Sequence, residues 1–312
     1  MPKPTADRYA GLLSKLPAKS AQVLEARLQS PNFTGTIPAG EAQEMANDLG
    51  VTMYQLMLIL TQWAALFAVA PISNFFVGAV VQGETGKLYF GANMEFPGEA
   101  LSFCTHAEQS SVVNAWVQGE QGVQALAVNA APCGYCRQFL YELVRANQLT
   151  LIFNDANQQT QTVPITSVLP WPFGPHDLKV PAGLMSPQNH NLVLSTPTNG
   201  PGLMAALEAA NMSYAPYTSS FAGAAVVMND NTVIAAPLAE NAAYNPSLSP
   251  LEGALSCMNL WGYSYSQIVE VALVEMAGTK VSQLDVTRAV LSSVSPVKLT
   301  YATAIAGSSA AR

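Results

Sequence analysis

Apolar positions along the chain follow two periods, and they switch at glycines and prolines. Residues 1–48 read as helices, with amphipathic text at "VLEARLQS" and "AGEAQEMANDLG". Gly50 is a helix stop, and Thr52 can cap the next helix, "MYQLMLILTQWAALFAVA", which Pro71 ends. "FFVGAVVQG" and "LYFGANMEF" then read as two strands around the turn "GETGK". "THAEQSSVVNAWVQG" reads as a helix ending at Gly119, "VQALAVN" as a short buried strand, and "PCGYCRQFLYELVRAN" as a helix with Pro132 at its entrance. Strands alternating with helices predict an α/β layered domain. From about residue 156 to 189 the text is rich in Pro, Gly, Gln and Asn and reads as a linker. Two aromatics in "WPFGPHDL" are unusual for such a segment.

The second half repeats the first. "AVAPISNFFVGAVV" and "SYAPYTSSFAGAAV" match at a constant offset of 145, as from Ala70 to Ala215, Pro71 to Pro216, Phe76 to Phe221 and Gly78 to Gly223. The same offset sets Glu240 on Glu95 and Leu238 on Asn93. A one-residue adjustment then sets "PLE" (250–252) on "HAE" (106–108), with Pro250 in the place of His106. "VEVALVEMAG" stands in the region of the first copy's cysteine pair. The expected organisation is an N-terminal helical segment (1–48), a chemistry-bearing repeat (49–155), a linker (156–189) and a degenerate repeat (190–312).

Composition narrows the function. Length suggests roughly two domains of about 150 residues. Half of the residues are hydrophobic, which supplies well-packed cores and hints at apolar surface covered by a partner. Only 11% are charged, the net charge is −7 and no basic run occurs, so a nucleic-acid partner is not expected. The first residues lack the apolar core of a signal peptide. The most apolar stretch, 56–81, contains Gln62, Pro71, Ser73 and Asn74, and its period changes at Pro71. It fits a buried helix and strand rather than a membrane span. Four unevenly spaced cysteines do not form a disulfide framework; a cytoplasmic protein with metal or redox thiols is expected.

His106, Cys133 and Cys136 have the chemistry of a catalytic zinc site: three soft or borderline ligands with one position open. The cysteines are one helical turn apart near a helix start, where unpaired N–H groups and the helix dipole stabilise thiolates. Arg137 and the dipoles can withdraw electron density from them. Glu108 stands two residues from His106. If His106 occupies an irregular helix entrance, both can face the ion, and a carboxylate that is not a ligand can carry protons to and from a bound water. H-x-E followed by P-C-x-x-C is the zinc deaminase pattern. Three plainer readings compete: a closed structural site of Cys104, His106, Cys133 and Cys136; a thioredoxin-like pair; and a capping or core histidine.

Taken together, "FFVGAVV", "GANMEF", "THAEQ" and "VNAAPCGYCRQ" resemble the cytidine deaminases, in particular the larger, dimeric bacterial and plant type with a zinc-free C-terminal repeat. The resemblance covers essentially the whole chain and is sharpest over 70–140. It implies three-layer α/β/α sandwiches on mixed five-stranded sheets, and a homodimer whose subunits share active sites. One zinc ion per subunit, in the first repeat only, would be held by His106, Cys133 and Cys136. The implied reaction is attack of zinc-activated hydroxide on C4 of cytidine or deoxycytidine, with Glu108 shuttling protons. Asn93 and Glu95 match the positions that bind ribose hydroxyls, and Phe75 an aromatic beside the base. The backbones of Ala107 and Ala131 match positions at the pyrimidine's polar edge. Phe173 resembles a segment that reaches the neighbouring subunit's site. Ala131 is smaller than the residue usual there, which loosens that wall. Two other functions remain at this point: deamination of another cytosine-like nucleoside, and a non-catalytic structural zinc protein.

Overall fold

In the computed structural model, residues 3–307 are described. The chain runs α1 (Ala6–Leu13), α2 (Ala18–Gln29), β1 (Thr36–Ile37), α3 (Ala39–Leu49), α4 (Met53–Ala64), β2 (Gly78–Gly83), β3 (Leu88–Ala92), α5 (Ala107–Val117) and β4 (Val123–Val128). It continues through α6 (Gly134–Leu140), β5 (Thr150–Asn154), β6 (Thr160–Pro164), α7 (Ile165–Val168), β7 (Leu192–Leu194), α8 (Pro201–Met212), β8 (Ala222–Met228), β9 (Val233–Pro237), α9 (Pro250–Leu260), β10 (Ile268–Met276), α10 (Leu284–Val294) and β11 (Leu299–Ala306). The punctuation acts as expected. Gly50 ends α3 in the left-handed region at φ +65°. Thr52 and Gln55 form a reciprocal capping box on α4.

Two mixed sheets form, ordered β1-β3-β2-β4-β5-β6 and β7-β11-β10-β8-β9. In each, an antiparallel hairpin (β2–β3, β8–β9) adjoins a parallel pair (β4–β5, β10–β11). The first sheet gains a sixth strand, β1, from the N-terminal segment. The stretch read as a linker is not wholly irregular, because β6 within it pairs with β5 at the sheet edge. In the second sheet β7 takes the equivalent edge place beside β11, but it enters from the preceding chain.

Alternating residues give each sheet two apolar faces. Val80, Phe90, Ala127 and Ile152 pack under α3 and α4, while Ala79, Val81, Leu126 and Val128 face a second core. That second core also receives Ala224, Val226 and Leu273 from the other sheet, with Val112 of α5 and Leu251 and Leu255 of α9. The two repeats therefore share a central helical layer, in which the Ser256 hydroxyl donates to that of Ser110 at 2.6 Å. Ala225, Ala272 and Val274 on the far face of the second sheet pack under α8. Each repeat is thus an α/β/α sandwich. The duplicated glycine explains part of this layering. A Cβ on Gly78 would lie 2.1 Å from Thr61 O of α4, and one on Gly223 2.3 Å from Ala210 N of α8. Only glycine lets these helices lie so close to the strands.

The offset of 145 extends through the sheets: Ala79 pairs with Val128, and Ala224 with Leu273. Carried onward, it puts Gly278 and Val281 where the first repeat has Cys133 and Cys136. The helix alignment differs from the sequence expectation. His106 is the N-cap of α5 and Ser249 the N-cap of α9, so Ser249, not Pro250, replaces the histidine. Glu252 consequently matches Gln109, and Leu251 matches Glu108. Capping geometry decides the register, since Gln109 and Glu252 both reach back to their N-cap N–H, at 3.2 and 3.3 Å. Among the described residues no single helix is long and apolar enough to cross a membrane.

Candidate active site

His106 has an extended backbone (φ −84°, ψ 155°) immediately before α5, so its ring is not bound to helical spacing. That is how a histidine and a glutamate two residues apart come to face one point. Cys133 is the N-cap of α6, and its sulfur accepts from Cys136 N at 3.5 Å. Pro132 therefore precedes the cap, and the helix ends at Leu140, shorter than its sequence pattern suggests. His106 Nδ1 lies 3.6 Å from Cys133 Sγ and 3.2 Å from Cys136 Sγ, and the sulfurs are 3.6 Å apart. Ligands arranged tetrahedrally around zinc are separated by roughly 3.8 Å for S···S and roughly 3.5 Å for N···S, given zinc bond lengths of about 2.3 and 2.0 Å. The trio fits the ion. Among the described residues these three form the only such cluster. Cys104 stands outside it, which removes the closed Cys₃His reading.

Electrostatics agree with a cation-binding role. A hydrogen bond from Cys136, aided by His106, pulls Cys133 down to about 3. Cys136 is pushed up, because its proton bonds Cys133 and the group is buried. A metal ion held by the two sulfurs and His106 would take the place of that shared proton. His106 is raised by its bond to Cys133. Glu108 is only 4% exposed, and burial raises its carboxyl.

The trio sits at one end of a cavity of about 350 Å³ lined by Phe75, Asn93, Glu95, Ala107, Glu108, Ala131 and Cys133, among others. Of the ligands, the catalytic residue and the substrate contacts expected from sequence, only Cys136, the buried member of the trio, and Phe173 are absent from that lining. Phe173 lies on the exposed strap after α7, away from this chain's own cavity. Asn93 and Glu95 already have partners. Asn93 Oδ1 accepts from Val77 N (2.8 Å), and Nδ2 donates to Phe75 O (2.9 Å). Glu95 accepts from Ile72 N (2.7 Å), Ser73 N (3.1 Å) and the Ser73 hydroxyl. Burial raises the Glu95 carboxyl, but these donors more than offset that, and it lies below its ordinary value. Sequence reading missed Ser73. Its signal was the repeat itself: Thr218 and Tyr217 make the same bonds to Glu240. The cavity also takes in Cys104, Thr105 and Ala130.

In the second repeat Leu238, which matches Asn93, packs with Ala215, Ala222 and Phe221 as a small apolar cluster.

Paired α/β/α repeats and a His/Cys/Cys cluster beside a buried carboxylate define a zinc-type deaminase scaffold. Comparison with known proteins agrees. Residues 53–151 and 165–288 match two family models, both described as "Cytidine and deoxycytidylate deaminase zinc-binding region". The cytidine deaminase of Photobacterium profundum is 40% identical over 293 residues, covering 94% of this chain and 97% of that protein. That of Aliivibrio fischeri is 42% identical over 271 residues, covering 86% and 89%. The solved cytidine deaminase from Burkholderia pseudomallei is 28% identical and covers 38% of this chain and 98% of its own, with a TM-score of 0.35. The chain belongs to the cytidine deaminase family.

Proposed function

We propose that this protein converts cytidine and deoxycytidine, with water, to uridine and deoxyuridine plus ammonia, as a step of pyrimidine salvage. The observation that carries the reading is the convergence of His106, Cys133, Cys136 and buried Glu108 on a nucleoside-sized cavity whose walls include Asn93 and Glu95. His106, Cys133 and Cys136 would hold one zinc ion per subunit. The second repeat offers serine, glycine and valine at those positions and holds none. Bound zinc supplies the Lewis acidity that makes water nucleophilic near neutral pH. Glu108, shielded from bulk water, takes the water's proton and passes protons to N3 and to the departing amine. Phe75 faces the base, and the backbones of Ala107 and Ala131 meet its polar edge. Glu95 Oε1 has one donor where Oε2 has two, and Asn93 Nδ2 uses one of its two hydrogens, so both retain capacity for a ribose hydroxyl.

A homodimer with shared sites is part of this proposal. Ile72, Phe76, Trp171, Phe173 and Tyr244 are large apolar side chains left exposed on the single chain, which a second copy can cover. Phe173 would then enter the neighbouring site. The division of the chain at about 48, 155 and 189 stays with this reading, and four thiols with no disulfide suit a cytoplasmic protein.

The test is the loss of cytidine ultraviolet absorbance with zinc-loaded protein. Glu108→Gln is expected to retain stoichiometric zinc and lose at least about 10²–10⁴-fold in kcat. Zinc-loaded wild type that leaves both nucleosides unchanged overturns the proposal.

A further inference from the structure

α6 does more than present two cysteines. Its next two side chains point away from the metal cluster and hold other segments. Arg137 Nε donates to the carbonyl of Pro132 at 2.8 Å, and its Nη1 donates to the carbonyl of Val168 at 3.1 Å. Pro132 is the residue immediately before Cys133, and Val168 ends α7 at the start of the strap that carries Phe173. Among the described residues Arg137 has no carboxylate within ion-pair distance. Its charge is spent on two carbonyls. The other end of the same loop is fixed by Asn129, whose Oδ1 accepts from Gly78 N (3.0 Å) and whose Nδ2 donates to Phe76 O (3.2 Å). Gln138 adds a second hold on the strap, donating to Phe173 O at 2.6 Å. It also joins the second repeat through Asn241, whose Nδ2 donates to Gln138 O at 3.0 Å.

We propose that Arg137 is a positioning residue for the metal cluster: by bridging the Pro132 and Val168 carbonyls it fixes the backbone that presents Cys133 and couples that backbone to the strap. This rests on the zinc reading above. Cys133 needs such support. It is the exposed member of the trio, its helix is a short one of 7 residues, and a loop rather than a strand leads into it. A planar guanidinium suits the task, because its fixed fork reaches two acceptors in set directions, which a lysine ammonium does not reproduce. Partners of this kind, one step removed from the ligands, typically change metal affinity about 10–100-fold when removed.

The experiment measures zinc release to a colorimetric chelator and the visible spectrum of the cobalt-substituted protein. Wild type, Arg137→Gln, Arg137→Lys and Gln138→Leu are compared. Arg137→Gln is expected to release zinc about 10–100-fold faster and to shift the sulfur-to-cobalt bands, with Arg137→Lys recovering only part of both. Gln138→Leu, which frees the strap at Phe173 but not Pro132, should leave both readouts near wild type. Hydrogen exchange on wild type gives a second reading that needs no variant: chelation of zinc should speed exchange in residues 166–174. An unchanged release rate and cobalt spectrum in Arg137→Gln, or strap exchange indifferent to zinc, overturns the inference. Wild type that binds no zinc at all instead overturns the reading beneath it.

Discussion

The duplication supplies its own control for Glu95. Glu95 and Glu240 accept the same three hydrogen bonds from equivalent turns, and are 8% and 6% exposed. Replacing either with alanine leaves two backbone N–H groups and a hydroxyl without their acceptor. Bonds to a charged partner are worth about 1.5–3 kcal/mol each, but water refills part of a site that opens, so about 2–4 kcal/mol is expected for each variant. The two costs should agree within about 1 kcal/mol. Activity should not agree. Only Glu95 lines the cavity, so Glu95→Ala should also lose a ribose contact and raise KM for cytidine about 10–100-fold, which is about 1.4–2.8 kcal/mol. Glu240→Ala should leave kcat/KM within about twofold of wild type below its melting range. Chemical denaturation and the cytidine absorbance assay, run on both variants, decide the matter. Equal losses of kcat/KM would refute the reasoning, because the effect of Glu95 would then be that of a turn clamp alone.

Two further outcomes follow from burial and close packing. Burial in α9 pushes Glu252 up to about 7, with the Ser249 cap opposing. Its folded value exceeds the unfolded one, so the folded state holds the extra proton between about pH 4.5 and 7; stability should fall by about 3 kcal/mol as pH rises through that window and then level. Glu252→Gln, which keeps the cap as Gln109 does in α5, should remove that slope in denaturation midpoints; an unchanged slope refutes the assignment. At Gly91, a Cβ would lie 2.2 Å from Ser111 N and 2.3 Å from Ala107 O of α5. Gly91→Ala should cost about 1–3 kcal/mol and, by displacing the helix that begins at His106, lower kcat at least about tenfold; thermal melts and turnover check this, and an unaltered kcat refutes it.

Much of the molecule could be read from the chain. The alternation around "GETGK", the caps at Gly50 and Thr52, and the offset of 145 are local features, set by backbone preference and by which residues must avoid water. His106, Cys133 and Cys136, which the fold brings together, could be grouped from the sequence because zinc chemistry restricts ligand type and spacing tightly. The tertiary structure decided three things that local rules could not. It moved the second helix alignment so that Ser249 stands for His106, because capping and packing against the sheet, not residue likeness, set where a helix starts. It turned part of the expected linker into β6, a strand of alternating exposure whose stability comes from pairing with β5 rather than from its own apolar content. It also revealed that Asn93 and Glu95 brace the turn at 72–77 as well as facing the cavity. Hydrogen bonds between residues some twenty positions apart exist only once the hairpin has closed, so no local pattern records them; the repeated Thr218 and Glu240 were their only trace in the sequence.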